Sequence, residues 1–296
     1  MITYEFMELT PQAATSHWGW TIAFFLWFVG LAGMSLTMNL WLRSRRIHLI
    51  ATAAAIVGTL LVVSHLGRML NLPFAAINAL LSWSFNFTSW MFIGICILAV
   101  LCVVTVIQSW GIWQAGKAGT PLGESWAESK CLLMFDAVLG VAATAYSGFL
   151  LTQAVGVPFW TSGALPVLWI FSGLACAMGL AEVMGAAGKL EGGSRPWFPQ
   201  AANIIHLGEA FVLFSFVHVA FQGSPGAAAA AQNLLSGSAS ALFWAGAVGL
   251  GLVVPMVLSF THGKGAVIAG GVCAILGALA LRASVLFAGT FDPIIF

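Results

Sequence analysis

Charge is what this chain most conspicuously lacks. Ten Lys and Arg and nine Asp and Glu serve 296 residues, against 60% hydrophobic residues and a mean hydropathy of +1.00. So few charges cannot clothe a globule of this size in water, which excludes a soluble enzyme or binding module. A net charge of +1 with no basic face excludes nucleic acid as a partner. Tyrosine is scarce as well, with two residues beside 13 Trp and 22 Phe. Of the five cysteines no two form a CxxC, so the chain is expected to hold no iron–sulfur cluster of its own and no metal. Cys96, Cys102, Cys131, Cys176 and Cys273 read instead as small buried apolar residues in or beside helices. The stretch from Tyr4 to Ser16 carries no Lys or Arg, so it lacks the basic start of a cleavable signal peptide. No polar linker divides the chain, and residues 1–296 are expected to form one membrane domain.

What is abundant is apolar sequence in spans of bilayer length. They fall at roughly 18–42, 49–70, 88–112, 131–154, 164–188, 201–222, 237–260 and 266–289. The expected fold class is an all-α integral membrane protein of eight transmembrane helices packed as helical bundles. An even number of crossings puts both termini on one side. Eight of the ten Lys and Arg (Arg43, Arg45, Arg46, Lys117, Lys130, Lys189, Arg195 and Lys264) lie in the loops after helices one, three, five and seven. Those loops are expected to be cytoplasmic and both termini outside. Two longer outside connections, Asn71 to Phe87 and Gly223 to Ser238, read as interfacial or surface segments. The corner Pro158-Phe159-Trp160-Thr161 is expected to seat a turn at headgroup depth.

Ionisable groups inside a membrane are costly, so each is a functional candidate or is paired. Towards the outer side lie His17, His65, Arg68, Tyr146, His218 and Arg282. Towards the cytoplasmic side lie Asp136, Glu182, His206 and Glu209, the last two sharing a helix face at a spacing of three. Structural readings stand beside each. His17 would rest among headgroups beside Trp18, His65 and Arg68 would snorkel to the interface, and Tyr146 would bond a backbone carbonyl. Arg282 would be a counter-charge for a neighbouring helix or Asp292, and Glu182 and Glu209 would pair with His206. The functional reading is a proton-coupled redox site. A quinol needs a hydrogen-bond partner at each ring oxygen, a base for its protons and an apolar slot for its tail. On this reading His65, Tyr146, Arg68 and His17 bind the quinone, and Asp136, Glu182, His206 and Glu209 form a candidate proton relay. Arg282 and His218 serve as structural or site charges.

These residues sit in a pattern that resembles the NrfD/PsrC family, membrane subunits of polysulfide-reductase-type complexes. The likeness rests on Tyr146-Ser147-Gly148-Phe149-Leu150-Leu151, on Pro158-Phe159-Trp160-Thr161, and on Leu165-Pro166-Val167-Leu168 with Ser172-Gly173-Leu174. Trp18-Gly19-Trp20 and Gly30-Leu31-Ala32-Gly33 support it near the start, and Leu281-Arg282 with Phe287-Ala288-Gly289 near the end. The resemblance implies a quinone-interacting anchor, menaquinone or ubiquinone as cofactor, and no haem. It also implies a four-cluster ferredoxin-like iron–sulfur subunit and a molybdopterin catalytic subunit as partners, in a bacterial or archaeal inner membrane. Where the polysulfide reductase subunit offers Asn and His from helix one, Ile22 and Phe25 stand here and cannot hydrogen-bond. His65-Leu66-Gly67-Arg68 replaces the family's Asp-Leu-Gly-Arg and resembles the His-Leu-Gly of dimethyl-sulfoxide-reductase anchor subunits, which implies that His65 serves the quinone.

Two other readings stay open at this point. A haem-b cytochrome would use His206 and His218, 12 residues apart on one helix and so roughly 18 Å apart in depth. Its second ligands would be His65 and either His48 or His262, both expected in loops. An ion-coupled secondary transporter would use the inner acids, but paired repeats and broken helices are not apparent.

Overall fold

The computed structural model describes residues 18–65, 71–261 and 263–292. His17, Arg68 and His262 lie outside the described residues. Among those described, eight helices are long and apolar enough to cross a bilayer. They are α1 (Trp20–Leu42), α2 (Arg45–Ser64), α4 (Trp90–Lys117), α5 (Lys130–Thr152), α6 (Ala164–Ala186), α7 (Phe198–Phe221), α9 (Leu242–Ser259) and α10 (Lys264–Ala288). Two short helices, α3 (Leu72–Leu81) and α8 (Pro225–Ser236), fill the two longer connections. The spans match the sequence expectation because hydrocarbon accepts only backbone whose polar groups are paired within the segment.

Two groups of helices share α1, one of four and one of five. On one side α1 packs with α2 and α5, with α4 closing against both; on the other side α6 and α10 pack against α1, α7 and α9 outside them. In its most apolar stretch α1 is 72% buried while α4 is 22% buried, which makes α1 the hub and α4 a lipid-facing wall. Close approach is made by missing side chains. A Cβ at Gly33 on α1 would strike the carbonyl of Gly140 on α5, and one at Gly140 would strike Gly33. Without a hydrophobic force between helices in lipid, such small-residue contacts are how membrane helices gain dispersion energy.

Cap chemistry fixes several helix ends. Ser44 Oγ accepts from the Ile47 amide at 3.3 Å to open α2, and Ser89 Oγ accepts from Phe92 at 3.4 Å to open α4. At α8, Asp292 Oδ1 accepts from the Gly226 amide at 2.7 Å and from the Ser224 hydroxyl at 2.8 Å, placing a carboxylate on a helix N-terminus. The first part of α9, Leu242–Val253, is π-helical before the chain returns to α geometry.

Two local expectations are corrected. Phe159 and Trp160 do not face headgroups; both are 1% exposed. Trp160 donates its indole N–H to the Val285 carbonyl at 3.0 Å, and Phe159 packs on Phe216 at 4.7 Å, so the corner plugs the bundle end. Of the cysteines only Cys176 is buried, while Cys96 and Cys131 are exposed on the outer surfaces of α4 and α5. The reason is that a lipid-facing helix side is as apolar as a core, so hydropathy does not tell the two apart.

Candidate functional site

The helices alternate, so one face of the bundle carries the described chain ends and the other the loops α1–α2, α4–α5, α6–α7 and α9–α10. We term these the terminal face and the basic-loop face. Tyr146 lies on α5, six residues before its end at Thr152 and thus about 9 Å in from the terminal face. Its side chain is buried, and the ring fills the space that a Cβ at Gly94 on α4 would occupy. Beside it runs an apolar crevice of about 160 Å³ between α2, α4 and α5, with Thr59, Val62, Met91, Leu98 and Leu150 in its walls. Among the described residues the Tyr146 hydroxyl has no hydrogen-bond partner, so the carbonyl-bonding alternative is not realised. His65 caps α2, three residues past Val62 and two past Val63 in the crevice wall, and is exposed. Next to this opening Trp90 stacks on Phe149 at 4.5 Å with the rings nearly parallel at 13°.

Two other outer residues, Arg282 and His218, are not in the wall of this crevice. Arg282 is fully buried between α1, α6 and α10. Its guanidinium donates to the carbonyls of Leu26 (3.2 Å), Ala278 (2.9 Å) and Trp169 (3.3 Å) and to the Ser172 hydroxyl (2.8 Å), and it sits over the Trp169 ring at 5.2 Å. Asp292 is not its counter-charge, being engaged at α8. Arg282 is therefore a clamp across three helices. His218 on α7 lines a different cavity, about 420 Å³ and apolar, between α7, α8 and α9, where it stacks on Phe214 at 5.9 Å.

The inner set likewise divides. Glu182 on α6 and His206 on α7 line one crevice of about 260 Å³ whose wall includes Arg195 and Ser259. His206 Nδ1 lies 3.7 Å from Glu209 Oε2, as the spacing of three predicts. Asp136, however, belongs to another cluster on the far side of α1. It faces His48 on α2 and Gln108 on α4, with His48 Nδ1 4.0 Å from Asp136 Oδ2. His48 is not in a loop; it is the fourth residue of α2 and 1% exposed. Hydropathy started the second span too late because Arg45, Arg46 and His48 dilute its first turn. His48 thus stands apart from His206, with which a haem reading would pair it.

Sequence reasoning missed three residues here: His48, Gln108 and Gly94. Gln108 was visible as an amide within an apolar span, three residues from Thr105. Gly94 offered no signal, because only its partner across the helix pair shows why it has no side chain.

The basic-loop face is tied together by two glutamates. Arg45 donates to Glu128 through Nε at 2.6 Å and through Nη2 at 2.7 Å, a bidentate pair that joins α2 to the α4–α5 loop. Ser44 Oγ donates to Glu191, whose other oxygen lies 3.8 Å from Arg46, joining α2 to the α6–α7 loop. Burial pushes the Glu128 carboxyl up, but the hydrogen bonds and charge of Arg45 outweigh it and hold the carboxyl below its ordinary value.

An all-α bundle of eight bilayer-length helices with a buried tyrosine at a lipid-side crevice is an integral membrane protein with a candidate site inside the bilayer. The sequence matches the family described as "Polysulphide reductase, NrfD" over residues 8–292, and the chain belongs to that family. It is 28% identical over 306 residues to a polysulfide reductase subunit from Wolinella succinogenes, covering 94% of this chain and 96% of that one. It is also 28% identical over 310 residues to protein NrfD of Escherichia coli K12, covering 92% of this chain and 94% of that one.

Proposed function

We propose that the chain is the quinone-interacting membrane anchor of a respiratory oxidoreductase complex. It exchanges electrons between menaquinol or ubiquinol and an external iron–sulfur subunit, and so forms the quinol-oxidising or quinone-reducing part of the enzyme. The crevice at Tyr146 carries this reading. Its apolar walls suit a quinone ring and isoprenoid tail, and Tyr146 in the wall carries a hydroxyl able to donate to a ring oxygen. His65 follows the crevice wall by two residues and supplies an imidazole that can donate or accept a hydrogen bond. Arg68 and His17 belong to the same proposed quinone-binding set. A bound quinol supplies two electrons and two protons. Tyr146 orients it, and His65 accepts or returns a proton at its imidazole.

On the same reading the basic-loop face is cytoplasmic and the termini lie outside, in the inner membrane of a bacterium or archaeon. A four-cluster ferredoxin-like subunit docks on the terminal face and passes electrons to a molybdopterin catalytic subunit. The haem-free, cluster-free role of this chain is part of the proposal, and its family membership supports the anchor role. Glu182, His206 and Glu209 form a proton relay towards the cytoplasmic face.

The test is quinol turnover by the assembled complex with His65→Ala or Tyr146→Phe. Each is expected to lower turnover about five- to tenfold while the complex still assembles, since one hydrogen bond is worth roughly 1–1.5 kcal/mol. Normal turnover in both removes them from the site.

A further inference from the structure

Five of the eight buried side-chain atoms that lack a hydrogen-bond partner among the described residues belong to one cluster: His48 Nδ1, both side-chain atoms of Gln108, and both oxygens of Asp136. All three residues are 0–1% exposed. Orphaned buried polar atoms cost about 1–3 kcal/mol each, so their concentration on three facing helices is a built feature rather than scatter.

The hydrogen bonds of His48 decide what the cluster holds. Its Nε2 lies 3.3 Å from the Thr105 carbonyl, which also receives the Thr52 hydroxyl at 3.4 Å. A carbonyl only accepts, so Nε2 carries the hydrogen. In the neutral ring Nδ1 then presents a lone pair to Asp136 Oδ2, 4.0 Å away. An ionised carboxylate presents lone pairs as well, and two such faces repel where no bulk water screens them. One proton removes the conflict, either on Nδ1 as an imidazolium beside a carboxylate, or on Asp136 as an acid beside a neutral imidazole. Gln108 can donate through its amide N–H to an Asp136 oxygen in both forms, and can accept only from the protonated acid.

We propose that His48, Gln108 and Asp136 form a buried site that binds one exchangeable proton, loaded from the basic-loop face. Asp136 is the seventh residue of α5 and His48 the fourth of α2, so both lie within about 10 Å of that face. A cavity of about 10 Å³, room for about one water, lies between His48 and the Arg45–Glu128 pair, with Asn39 and Ser44 in its wall. The charged groups at this cavity are Arg43, Arg45 and Glu128; α1 adds the Asn39 amide to its wall, and α4 brings the Thr105 carbonyl to His48 and the Gln108 amide to Asp136. Exchange breaks an N–H bond as an O–H bond forms, with the proton entering from and returning to solution and no change of oxidation state. The site is separate from the Glu182–His206–Glu209 crevice. It lies ten residues, about 15 Å, along α5 from Tyr146, so it does not rest on the quinone reading.

The test is infrared spectroscopy of the assembled complex in membranes, titrated in pH in H2O and in D2O. The expected result is a band that shifts in D2O: either a protonated-carboxyl band that disappears in Asp136→Asn and shifts in His48→Gln, or an imidazolium band that disappears in His48→Gln and shifts in Asp136→Asn. The band stays unchanged in Tyr146→Phe. A band unaltered in both His48→Gln and Asp136→Asn, or one that follows sodium concentration rather than pH, overturns the proposal. Should Asp136→Asn fail to assemble, His48→Gln decides alone: its amide can still donate to the Thr105 carbonyl, and an unmoved band overturns the site.

Discussion

The ring of Tyr146 on α5 occupies the space that a side chain at Gly94 on α4 would fill. The two residues are one feature: the missing side chain on α4 makes room for the tyrosine ring in the crevice wall.

Gly94→Leu is therefore expected to force the ring out of place at a cost of about 1–3 kcal/mol. Quinone affinity should fall with it, while Gly116→Leu, where nothing lies within 4 Å of the added Cβ, leaves affinity unchanged. Thermal unfolding and quinone titration of the two variants measure both effects.

Arg282→Met removes four charge-assisted hydrogen bonds that tie α1, α6 and α10 together and is expected to destabilise the bundle by about 2–4 kcal/mol. Because Arg282 is a clamp, the variant protein that does assemble should keep its quinone affinity. A full-strength bundle with lost quinone binding would return Arg282 to the site.

The Arg45–Glu128 pair predicts an acid-sensitive loop face. The folded-state carboxyl lies below its ordinary value of 4.5, so its stabilising contribution is present in full above that pH. It is lost as pH falls through the folded value. Hydrogen exchange of the α4–α5 loop should rise in that window, and Glu128→Gln should flatten the dependence by removing the titrating group.

Glu182→Gln and Glu209→Gln test the relay. Proton uptake from the basic-loop side during quinol turnover is expected to fall in each, with quinone affinity unchanged. Proton stoichiometry equal to the parent in both variants would exclude the relay.

Much of the candidate site was legible before any tertiary contact was known. Tyr146 stood out because a hydroxyl in a bilayer-length span must meet something other than lipid. His206 and Glu209 were paired by spacing alone, because residues three apart share a helix face. His48 was not legible, since the charges in its first turn hid the start of α2. The separation of Asp136 from Glu182 and His206 was not legible either: depth follows from position along a helix, but neighbours across the bundle do not.

The sequence by itself determined the eight crossings and which loops share a face. Each crossing is a local matter of about 20 apolar residues whose backbone must satisfy its own hydrogen bonds in hydrocarbon. Only the tertiary structure decided which polar groups meet. The rotation of each helix and its neighbours are set by contacts such as Gly33 against Gly140, made between residues far apart in the chain and invisible to hydropathy. Those contacts gave Asp136 to His48, set His206 with Glu182 in a separate crevice, and placed Tyr146 against Gly94 in the wall of another.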